Sequence, residues 1–486
     1  ITDPDGKGAI YRYREFPYRI SAAYDTETSL GLGFSYYLTG DDYLTAYSSF
    51  HSSDIYGNSR TYFSEVGISR SAGNVTYNDK GHKFSDTTDD IITTVSFDIF
   101  GRTVSTRSVD CNGILLSSAG AGYTANVGSS AKNNKLTREG SSGAVGQNLL
   151  TDGGFEKSSS RWSNTSVTHA NCTAAVSSDA AYTGTKSMKL VCNSTSGTNI
   201  ATKYQAMSLP AGTYTLSARV KVESMDDVGG KVGARILLGD VYANPYTDAE
   251  SVYLNKVTSE SVDDGWVLLH CSYTFSETTY AYIYLTMRGV KGVSYFDNVM
   301  LQRGDTVSTC NLLDNGDFSN GLTSWTRSGT TVSDISVKSV TGISGSSDKV
   351  LSVPSAAHKT AGAYQTINLN LPATETLMLS AFAKACSAPL DGDDDDSIFE
   401  LGAVLTYSDG TTDTFKQAFN PRLFDSWQHV AVPIVPRRPK LTIKTARIYV
   451  RYDYNLNTAY FDNFALTLDG AQCYTYDDDG NVVAVN

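Results

Sequence analysis

Aromatic and basic side chains alternate with apolar ones in several short stretches of this sequence. Arg219 and Lys221 do so in TLSARVKV, and Tyr282 and Tyr284 do so in YAYIYL. Alternation with a period of two places such residues on the outer side of a β-strand. Phenol rings offer flat apolar area to the C–H faces of sugar rings, and Arg and Lys donate hydrogen bonds to hydroxyl groups. These four residues are candidate ligand contacts; the alternative is that this face packs against a neighbouring domain.

A second set of candidates occupies corresponding positions later in the chain. It consists of Phe382, Lys384, Tyr449 and Arg451. The first set keeps its basic residues and its tyrosines in separate stretches, whereas the second set has one ring and one cation in each stretch. This difference in chemistry predicts different ligands for the two sets, or one set without a ligand.

Recognisable catalytic motifs are missing from the sequence. The six histidines lie in no HExxH pattern and beside no GxSxG elbow, and no Gly-rich phosphate loop is present. A carboxylate pair for glycoside hydrolysis cannot be recognised, because acidic residues are spread along the whole chain. The sequence therefore predicts that the chain is not an enzyme.

A long internal repeat must position the candidate residues. The segment YFDNVML at 295–301 returns as YFDNFAL at 460–466, and NLLTDGGFE at 148–156 returns as NLLDNGDFS at 311–319. The distance in sequence between the two copies is far longer than the period of solenoid repeats, and it matches the size of a single domain. We predict two homologous domains at 144–306 and 307–470, a β-hairpin-rich domain at 1–143, and the start of a further hairpin at 471–486.

The repeats have the pattern of β-strands. Residues predicted to point inward are Leu216, Ala218, Val220 and Val222 in one strand and Ala281, Ile283 and Leu285 in another. Several such strands joined by Gly, Asp and Ser turns are typical of an antiparallel sandwich. The composition agrees, because 31 Tyr and 41 Gly with only 11 Pro suit strands and polar turns.

Charge and cysteine content limit the partners and the compartment. The formal net charge of −12 disfavours nucleic acid or an anionic membrane as the main partner. No run of 18 apolar residues is present, so no membrane span is predicted. The seven cysteines show no zinc-ligand spacing. Cys172 and Cys192 are placed to meet across adjacent strands, as a disulfide or as two buried thiols.

The repeated motifs resemble a known family. The NLL segment, the tryptophan that follows it (Trp162 and Trp325), the Ser-Ala strand and the closing YFDN together resemble jelly-roll carbohydrate-binding modules, which are often appended to bacterial glycan hydrolases and surface proteins. The resemblance covers both repeats. It implies an all-β fold with two tandem β-sandwich domains, and a glycan or cell-wall polysaccharide as the partner.

The same resemblance implies a structural calcium ion where the first strand of each module meets the last. The family's usual ligands fall on Glu156 and Asp297 in the first module. In the second module Asp462 matches, but Ser319 replaces the glutamate, and Asp317 lies nearby as a substitute. Carboxylates and carbonyls at two chain ends supply the hard oxygens that Ca²⁺ prefers. The alternative is that each Asp only caps a turn.

Both ends of the chain carry a sequence pattern that differs from that of the two repeats. Phe97–Val104 and Tyr476–Val483 follow the order aromatic, Asp, Gly and then Arg or Asn, which is a β-hairpin signal. This pattern is similar to the YD repeat of Rhs and teneurin-type proteins, which stack hairpins into a large secreted shell. If such a sheet resumes after residue 473, the two modules are an insertion in it.

These observations together predict a glycan-binding or adhesion region of a larger secreted or cell-surface bacterial protein. The alternative is a structural spacer or shell scaffold without a sugar site. The first residues, ITDPDGKG, do not form a signal peptide, so we infer the location only from the resemblance.

Overall fold

The computed structural model describes most of the chain from residue 102 onwards. The described residues are 102–109, 115–124, 133–157, 161–164, 170–196, 199–227, 233–240, 242, 262, 264–343, 347–356, 358–385, 397–419 and 427–485, with Val95 and Ser96 and the backbone of the strands within 9–97 and 253–257. Every regular element in this part of the chain is a β-strand, which confirms the predicted all-β fold. No described helix is long and apolar enough to cross a membrane.

In the described part of the chain, ten strands precede the first repeat. They are β1 (Ala9–Tyr13), β2 (Ile20–Asp25), β3 (Gly31–Thr39), β4 (Thr45–Ser53), β5 (Ser59–Ile68), β6 (Gly73–Asn78), β7 (Ile92–Phe97), β8 (Thr103–Val109), β9 (Leu115–Tyr123) and β10 (Leu136–Ser142).

The first repeat supplies the strands of the first sandwich. They are β11 (Ser163–Asn164), β12 (Cys172–Ser177), β13 (Ser187–Cys192), β14 (Ile200–Leu209), β15 (Gly212–Asp227), β16 (Ala234–Gly239), β17 (Tyr253–Val257), β18 (Trp266–Phe275), β19 (Thr279–Arg288) and β20 (Val290–Arg303).

The second repeat supplies the strands of the second sandwich, and two more strands follow it. They are β21 (Thr326–Gly329), β22 (Ser336–Thr341), β23 (Ser347–Pro354), β24 (Ala361–Pro372), β25 (Leu377–Ala385), β26 (Ile398–Tyr407), β27 (Thr412–Ala418), β28 (Gln428–Ile434), β29 (Thr442–Asp453), β30 (Thr458–Leu468), β31 (Ala471–Tyr476) and β32 (Val482–Val485).

The two sandwiches have the same topology. In the first, the front sheet has the order β11-β14-β19-β16-β17 and the back sheet has the order β12-β13-β20-β15-β18. In the second, the front sheet is β21-β24-β29-β26-β27 and the back sheet is β22-β23-β30-β25-β28. The orders match strand for strand and the pairings are antiparallel, which confirms the duplicated jelly-roll sandwich. The predicted domain boundaries fall outside these strands and stay predictions.

Alternating side chains fill the space between the sheets of each sandwich. All seven residues predicted to point inward in the first repeat are buried, from Leu216 on β15 to Leu285 on β19. Phe155 and Trp162 pack with their ring centroids 5.6 Å apart in this core, and Phe318 and Trp325 repeat the contact at 5.2 Å. Cys172 and Cys192 are partners across β12 and β13 and are free thiols.

The N-terminal sheet consists of β1 to β10 in sequence order, followed by β31 and β32. β31 pairs with β10 after both sandwiches, through Arg138 opposite Cys473. β31 and β32 form a hairpin at the C-terminal end: Tyr476 pairs with Val482, and the Asp477 carboxylate accepts a hydrogen bond from the backbone N–H of Asn481 at 2.8 Å. The sandwiches are therefore an insertion between neighbouring strands of one sheet.

The N-terminal sheet covers the outer face of the second sandwich's back sheet. Ser105 Oγ lies 2.7 Å from Nδ1 of His429, and the Arg107 guanidinium lies 4.5 Å from the ring centroid of Phe382. A Cβ on Gly120 would overlap the backbone of β28, so the two sheets are in close contact there. On the equivalent face of the first sandwich, Leu268, which corresponds to His429, is 39% exposed.

This interface predicts that protonation of His429 opposes folding. Burial, reinforced by the positive charge of Arg107, holds the pKa of His429 well below its usual range. At low pH the His429 imidazole therefore binds a proton in the unfolded chain but not in the folded chain. Protonation of this group favours the unfolded state as the pH falls below about 6.5. We expect His429 to contribute a loss of up to about 1.4 kcal/mol per pH unit in the free energy of unfolding between pH 7 and pH 5, so His429→Gln should lose less stability on acidification than the unaltered chain, or gain more.

Urea denaturation followed by tryptophan fluorescence at each pH measures the slope. His270→Gln, at an exposed histidine of the first sandwich, serves as the control. An unchanged slope in His429→Gln would show that His429 does not titrate on unfolding.

Candidate functional site

The structure separates the four candidates of the first sandwich. Arg219 and Lys221 lie on β15 in the back sheet, whereas Tyr282 and Tyr284 lie on β19 in the front sheet. Because both pairs point away from the core, they occupy opposite outer faces of the sandwich. The expectation that they form one ligand face is therefore wrong.

The second set is divided in the same way. Phe382 and Lys384 lie on β25 in the back sheet, and Tyr449 and Arg451 lie on β29 in the front sheet. Phe382 is only 3% exposed because the N-terminal sheet covers it, so it is not accessible to a ligand. The neighbour-packing alternative holds for this residue.

Tyrosines gather on the outer face of the first front sheet and form an aromatic platform, which we define as Tyr204, Tyr280, Tyr282 and Tyr284. Tyr282 and Tyr284 stack with centroids 5.9 Å apart and ring planes 10° apart. Tyr204 lies 5.9 Å from Tyr282 and 5.7 Å from Tyr284. Leu237 on β16 is the cross-strand partner of Tyr284 and packs against the platform on the same sheet face.

Strand register creates the aromatic platform. Tyr204 on β14 is the direct partner of Tyr284 on β19, so their side chains point to the same face. Tyr284 is 7% exposed, and burial raises its pKa to about 12, so its hydroxyl stays protonated. Tyr280 is 55% exposed and meets Tyr282 edge-on at 5.6 Å. Tyr284 therefore supports the platform, while the other three rings are accessible.

Sequence reasoning missed Tyr204 and its equivalent Tyr364. The available signal was a repeated Tyr-Gln pair on corresponding strands. The glutamine points inward and fixes the strand: Gln205 Nε2 donates to the backbone carbonyl of Thr151 at 2.7 Å, and Gln365 repeats this with Asp314 at 2.9 Å. The tyrosine beside it must then point outward, onto the face where β19 or β29 places its own tyrosine.

The corresponding face of the second sandwich is charged. Tyr364 pairs with Tyr449, as Tyr204 does with Tyr284, but Arg447 replaces the third ring and lies 3.9 Å from the centroid of Tyr364. A Cβ on Gly402 would lie 2.3 Å from Cζ of Tyr449, so the phenol ring lies directly over this glycine. Burial raises the pKa of Tyr449 to about 12.

Ion pairs surround Tyr449. Glu400, which is buried, lies 2.9 Å from Nζ of Lys416 and 3.6 Å from Nη1 of Arg451. Arg451 also donates to the Asp453 carboxylate from Nε at 2.9 Å. These charges compensate one another within the sheet face, which gives the second sandwich a different surface chemistry from the first.

Glu156, a predicted calcium ligand, links the two sandwiches. Its Oε1 accepts the backbone N–H groups of Thr185 at 2.6 Å and Lys186 at 2.7 Å. Its Oε2 accepts the Thr185 hydroxyl at 2.8 Å and Nδ2 of Asn368, on the second sandwich, at 3.0 Å. An ion at Glu156 would have to displace these donors, so the arrangement fits calcium poorly.

Asp297 is fully buried at the start of the same corner. It accepts backbone N–H groups from Tyr182 at 2.7 Å, Thr183 at 3.1 Å and Asn298 at 2.7 Å. Burial raises its pKa to about 8, although these N–H groups act in the opposite direction. Asp297 therefore anchors the loop between β12 and β13 to the closing strand β20.

The equivalent corner of the second sandwich differs. Asp462 is buried, Asn463 donates to its Oδ1 at 2.8 Å, and its Oδ2 accepts no hydrogen bond. Asp317 accepts the N–H and hydroxyl of Ser319. In the part of the chain that the structure describes, no three His, Cys, Asp or Glu side chains are grouped to hold a metal. Calcium binding stays a prediction, which melting in calcium against chelator checks.

The buried carboxyl of Asp152 makes fewer hydrogen bonds than the amide of Asn315, its equivalent in the second sandwich. Both residues have positive φ, and each accepts a hydrogen bond from the backbone N–H five residues later. Asn315 Nδ2 donates to the carbonyls of Gly321 at 2.8 Å and Thr323 at 2.9 Å, whereas Oδ2 of Asp152 has no hydrogen-bond partner among the described residues. Burial, with the charge of Asp314, raises the pKa of Asp152 to about 6.

Two curated proteins of Bacillus subtilis are similar to this chain. The tRNA(Glu)-specific nuclease WapA of Bacillus subtilis subsp. natto (strain BEST195) is 26% identical over 352 residues, which are 69% of this chain and 14% of that protein. The tRNA nuclease WapA of Bacillus subtilis (strain 168) is 26% identical over 354 residues, with the same shares. The chain thus spans about 14% of the length of these relatives. No protein-family model matches the chain.

Similar solved structures include two carbohydrate-binding proteins. The CBM22-1-CBM22-2 tandem domain of Paenibacillus barcinonensis Xyn10C is 17% identical and covers 67% of this chain and 98% of that chain, with a TM-score of 0.24. The family 11 carbohydrate-binding module of Clostridium thermocellum Lic26A-Cel5E is 16% identical and covers 34% and 97%, with a TM-score of 0.23. At these scores, the sandwich assignment rests on strand pairing alone.

The curated relatives overturn one expectation from the sequence. The chain was predicted not to be an enzyme, but the proteins that it resembles over 69% of its length are named tRNA nucleases. The predicted exclusion of nucleic acid loses its support for the same reason. The prediction rested on the absence of histidine, serine and phosphate-loop motifs, and such an absence does not exclude an enzyme, because catalytic residues can be far apart in sequence.

We expect Asp152→Asn to stabilise the first sandwich at neutral pH. Because folding raises the pKa of Asp152 from about 4 to about 6, the folded state binds more protons, and stability falls as the pH rises through this window. An amide removes this cost, which is about 3 kcal/mol at pH 8. Scanning calorimetry at pH 4.5 and pH 8 measures the effect.

The second sandwich supplies the matched control. Asn315→Asp should introduce the same pH dependence there, because a carboxylate cannot donate to the two carbonyls that Asn315 Nδ2 reaches. If Asp152→Asn lowers the melting temperature at pH 8, the carboxylate has a favourable role and this interpretation fails.

Proposed function

We propose that the first sandwich binds carbohydrate on its aromatic platform. The observation that carries this proposal is the group of accessible rings, Tyr204, Tyr280 and Tyr282, on one outer sheet face. Sugar rings present C–H groups on one side, and such groups gain apolar contact when they stack on phenol rings. The phenol hydroxyl groups can exchange hydrogen bonds with sugar hydroxyls at the same time.

The surroundings of the aromatic platform support this proposal. The buried side chains of Leu237 and Tyr284 pack against Tyr204 and Tyr282 and restrict their motion, so little side-chain entropy is lost when a ligand binds. A cluster of partly exposed tyrosines that served only packing would be covered by another element, as Phe382 is. The resemblance of both repeats to carbohydrate-binding modules agrees with the proposal.

The second front sheet offers a less open surface. Arg447 covers Tyr364, and the carboxylate of Glu400 and its cations occupy the surroundings of Tyr449. A ligand would have to displace these contacts before it could stack. We therefore assign the main sugar site to the first sandwich.

We expect Tyr282→Ala to lower glycan affinity at least tenfold, which corresponds to about 1.4 kcal/mol. Tyr282 stacks on Tyr284 and contacts both Tyr204 and Tyr280, so its loss removes the ring that joins the other three. A glycan array identifies the ligand, and titration calorimetry on the whole chain measures the affinity.

Lys221→Ala is the matched control, because Lys221 lies on the opposite sheet of the same sandwich. It should bind as the unaltered chain does. Equal affinity of Tyr282→Ala and the unaltered chain, or a loss that occurs only in Lys221→Ala, would move the site away from the aromatic platform.

A second candidate function follows from the curated relatives. Because they are named tRNA nucleases, we propose that the full-length protein cleaves tRNA and that this chain contributes the sandwiches and the hairpin sheet. The hairpin sheet would belong to a YD-repeat scaffold, and the protein would be secreted or attached to the cell surface. The share of the relatives' length that the chain spans is small, so this activity concerns the whole protein.

A tRNA cleavage assay tests the second candidate. We expect the full-length protein to produce discrete tRNA fragments on a denaturing gel. Assaying the 486-residue chain in parallel assigns the activity to these residues or to other parts of the protein. Intact tRNA after incubation with folded full-length protein would contradict the proposal.

A further inference from the structure

A cleft of about 510 Å³ lies between the two sandwiches, beside the aromatic platform. Its floor is the edge of the first front sheet, where Tyr204 and Tyr280 belong to both the platform and the cleft. Its opposite wall is the turn of the second sandwich that carries Ser319 and Asn320. A chain of sugars that stacks on the platform can therefore continue into the cleft.

Direct contacts between the sandwiches fix the walls of this cleft. Asp314 of the second sandwich accepts the backbone N–H of Asp152 at 3.2 Å and pairs with Nζ of Lys157. On the far side of the interface, the N–H of Gly184 donates to the carbonyl of Leu369 at 2.6 Å. Because the sandwiches are already joined, a ligand does not have to order them.

One charged side chain lines the cleft among the described residues. This residue is Arg161, which comes immediately before the buried Trp162 and is exposed; no Asp or Glu among the described residues lines the same space. The remaining polar groups are amides, hydroxyls and backbone, which suit sugar hydroxyls. A guanidinium presents a planar fork of N–H donors that matches a carboxylate in two parallel hydrogen bonds.

We propose that the cleft between the sandwiches selects an acidic glycan, with Arg161 bound to the carboxylate of a uronic acid unit next to the sugars on the aromatic platform. This inference rests on the proposed carbohydrate function and specifies its ligand class. The net charge of −12 disfavours polyanions at long range, so the preference arises from the local contact of Arg161. The acidic unit contacts both sandwiches, which makes the tandem arrangement part of the site.

The test uses a glycan array that carries neutral hexasaccharides beside their C6-carboxylate counterparts, followed by titration calorimetry on the whole chain. We expect at least one acidic glycan to bind ten times more tightly than its neutral counterpart. Arg161→Gln should reduce this ratio to below twofold and leave binding of the neutral glycan unchanged. Lys338→Gln, at an exposed lysine of the second sandwich, controls for the loss of one positive charge.

The outcomes separate this inference from the proposed function. If neutral glycans bind, Tyr282→Ala abolishes the binding and Arg161→Gln does not change the acidic-to-neutral ratio, the inference is overturned and the sugar site on the aromatic platform stands. If the unaltered chain binds no glycan on the array, both proposals fail. Because Arg161 is exposed, the variant should keep the melting temperature of the unaltered chain.

Discussion

The register between β14 and β19, repeated between β24 and β29, is the constraint on which both front faces depend. It places Tyr204 opposite Tyr284, and Tyr364 opposite Tyr449. A shift by one residue would turn every ring toward the core, because side chains alternate between the faces of a strand. The glutamine after the first tyrosine of each pair prevents this shift, since its amide exchanges two hydrogen bonds with the backbone that enters the sandwich. The outer aromatic face is thus fixed from inside the core.

The chain uses one fold twice, in two environments. The N-terminal sheet packs on the back sheet of the second sandwich, where Arg107 lies over Phe382. The back sheet of the first sandwich presents Arg219 and an exposed Leu268 at the corresponding positions. On its front sheet the first sandwich carries stacked tyrosine rings, whereas the front sheet of the second carries ion pairs between Glu400 and its neighbouring cations. The second sandwich therefore attaches the pair to the hairpin sheet, and the first keeps exposed side chains on both faces, Leu268 on the back sheet and Tyr280 on the front sheet. This division follows from a few outward-facing residues, because the inward-facing residues of each copy fill the core of their own sandwich in the same way.

The sequence predicted the strands and their faces, but it did not predict which strands share a sheet. Alternation is local, so the inward positions on β15 and β19 could be read directly. Sheet membership in a jelly roll depends on pairing between distant strands, and nothing in the pattern around Arg219 shows that Tyr282 lies on the other sheet. For the same reason, the cleft that contains Arg161 could not be foreseen, because its walls come from two domains. The repeated hairpin signal was informative because a hairpin is formed by neighbours in sequence.

Comparing the two copies explains why Glu156 has no carboxylate equivalent in the second sandwich. The glutamate joins the loop after β12 to Asn368 of the following sandwich. The second sandwich is followed by β31, which returns to the N-terminal sheet, so the equivalent Ser319 has no such neighbour to hold. Ser319 instead bonds to Asp317 within its own turn and faces the cleft. The difference between the copies thus follows from the position of each sandwich in the chain, and it accounts for a glutamate that the family resemblance assigns to a metal ion.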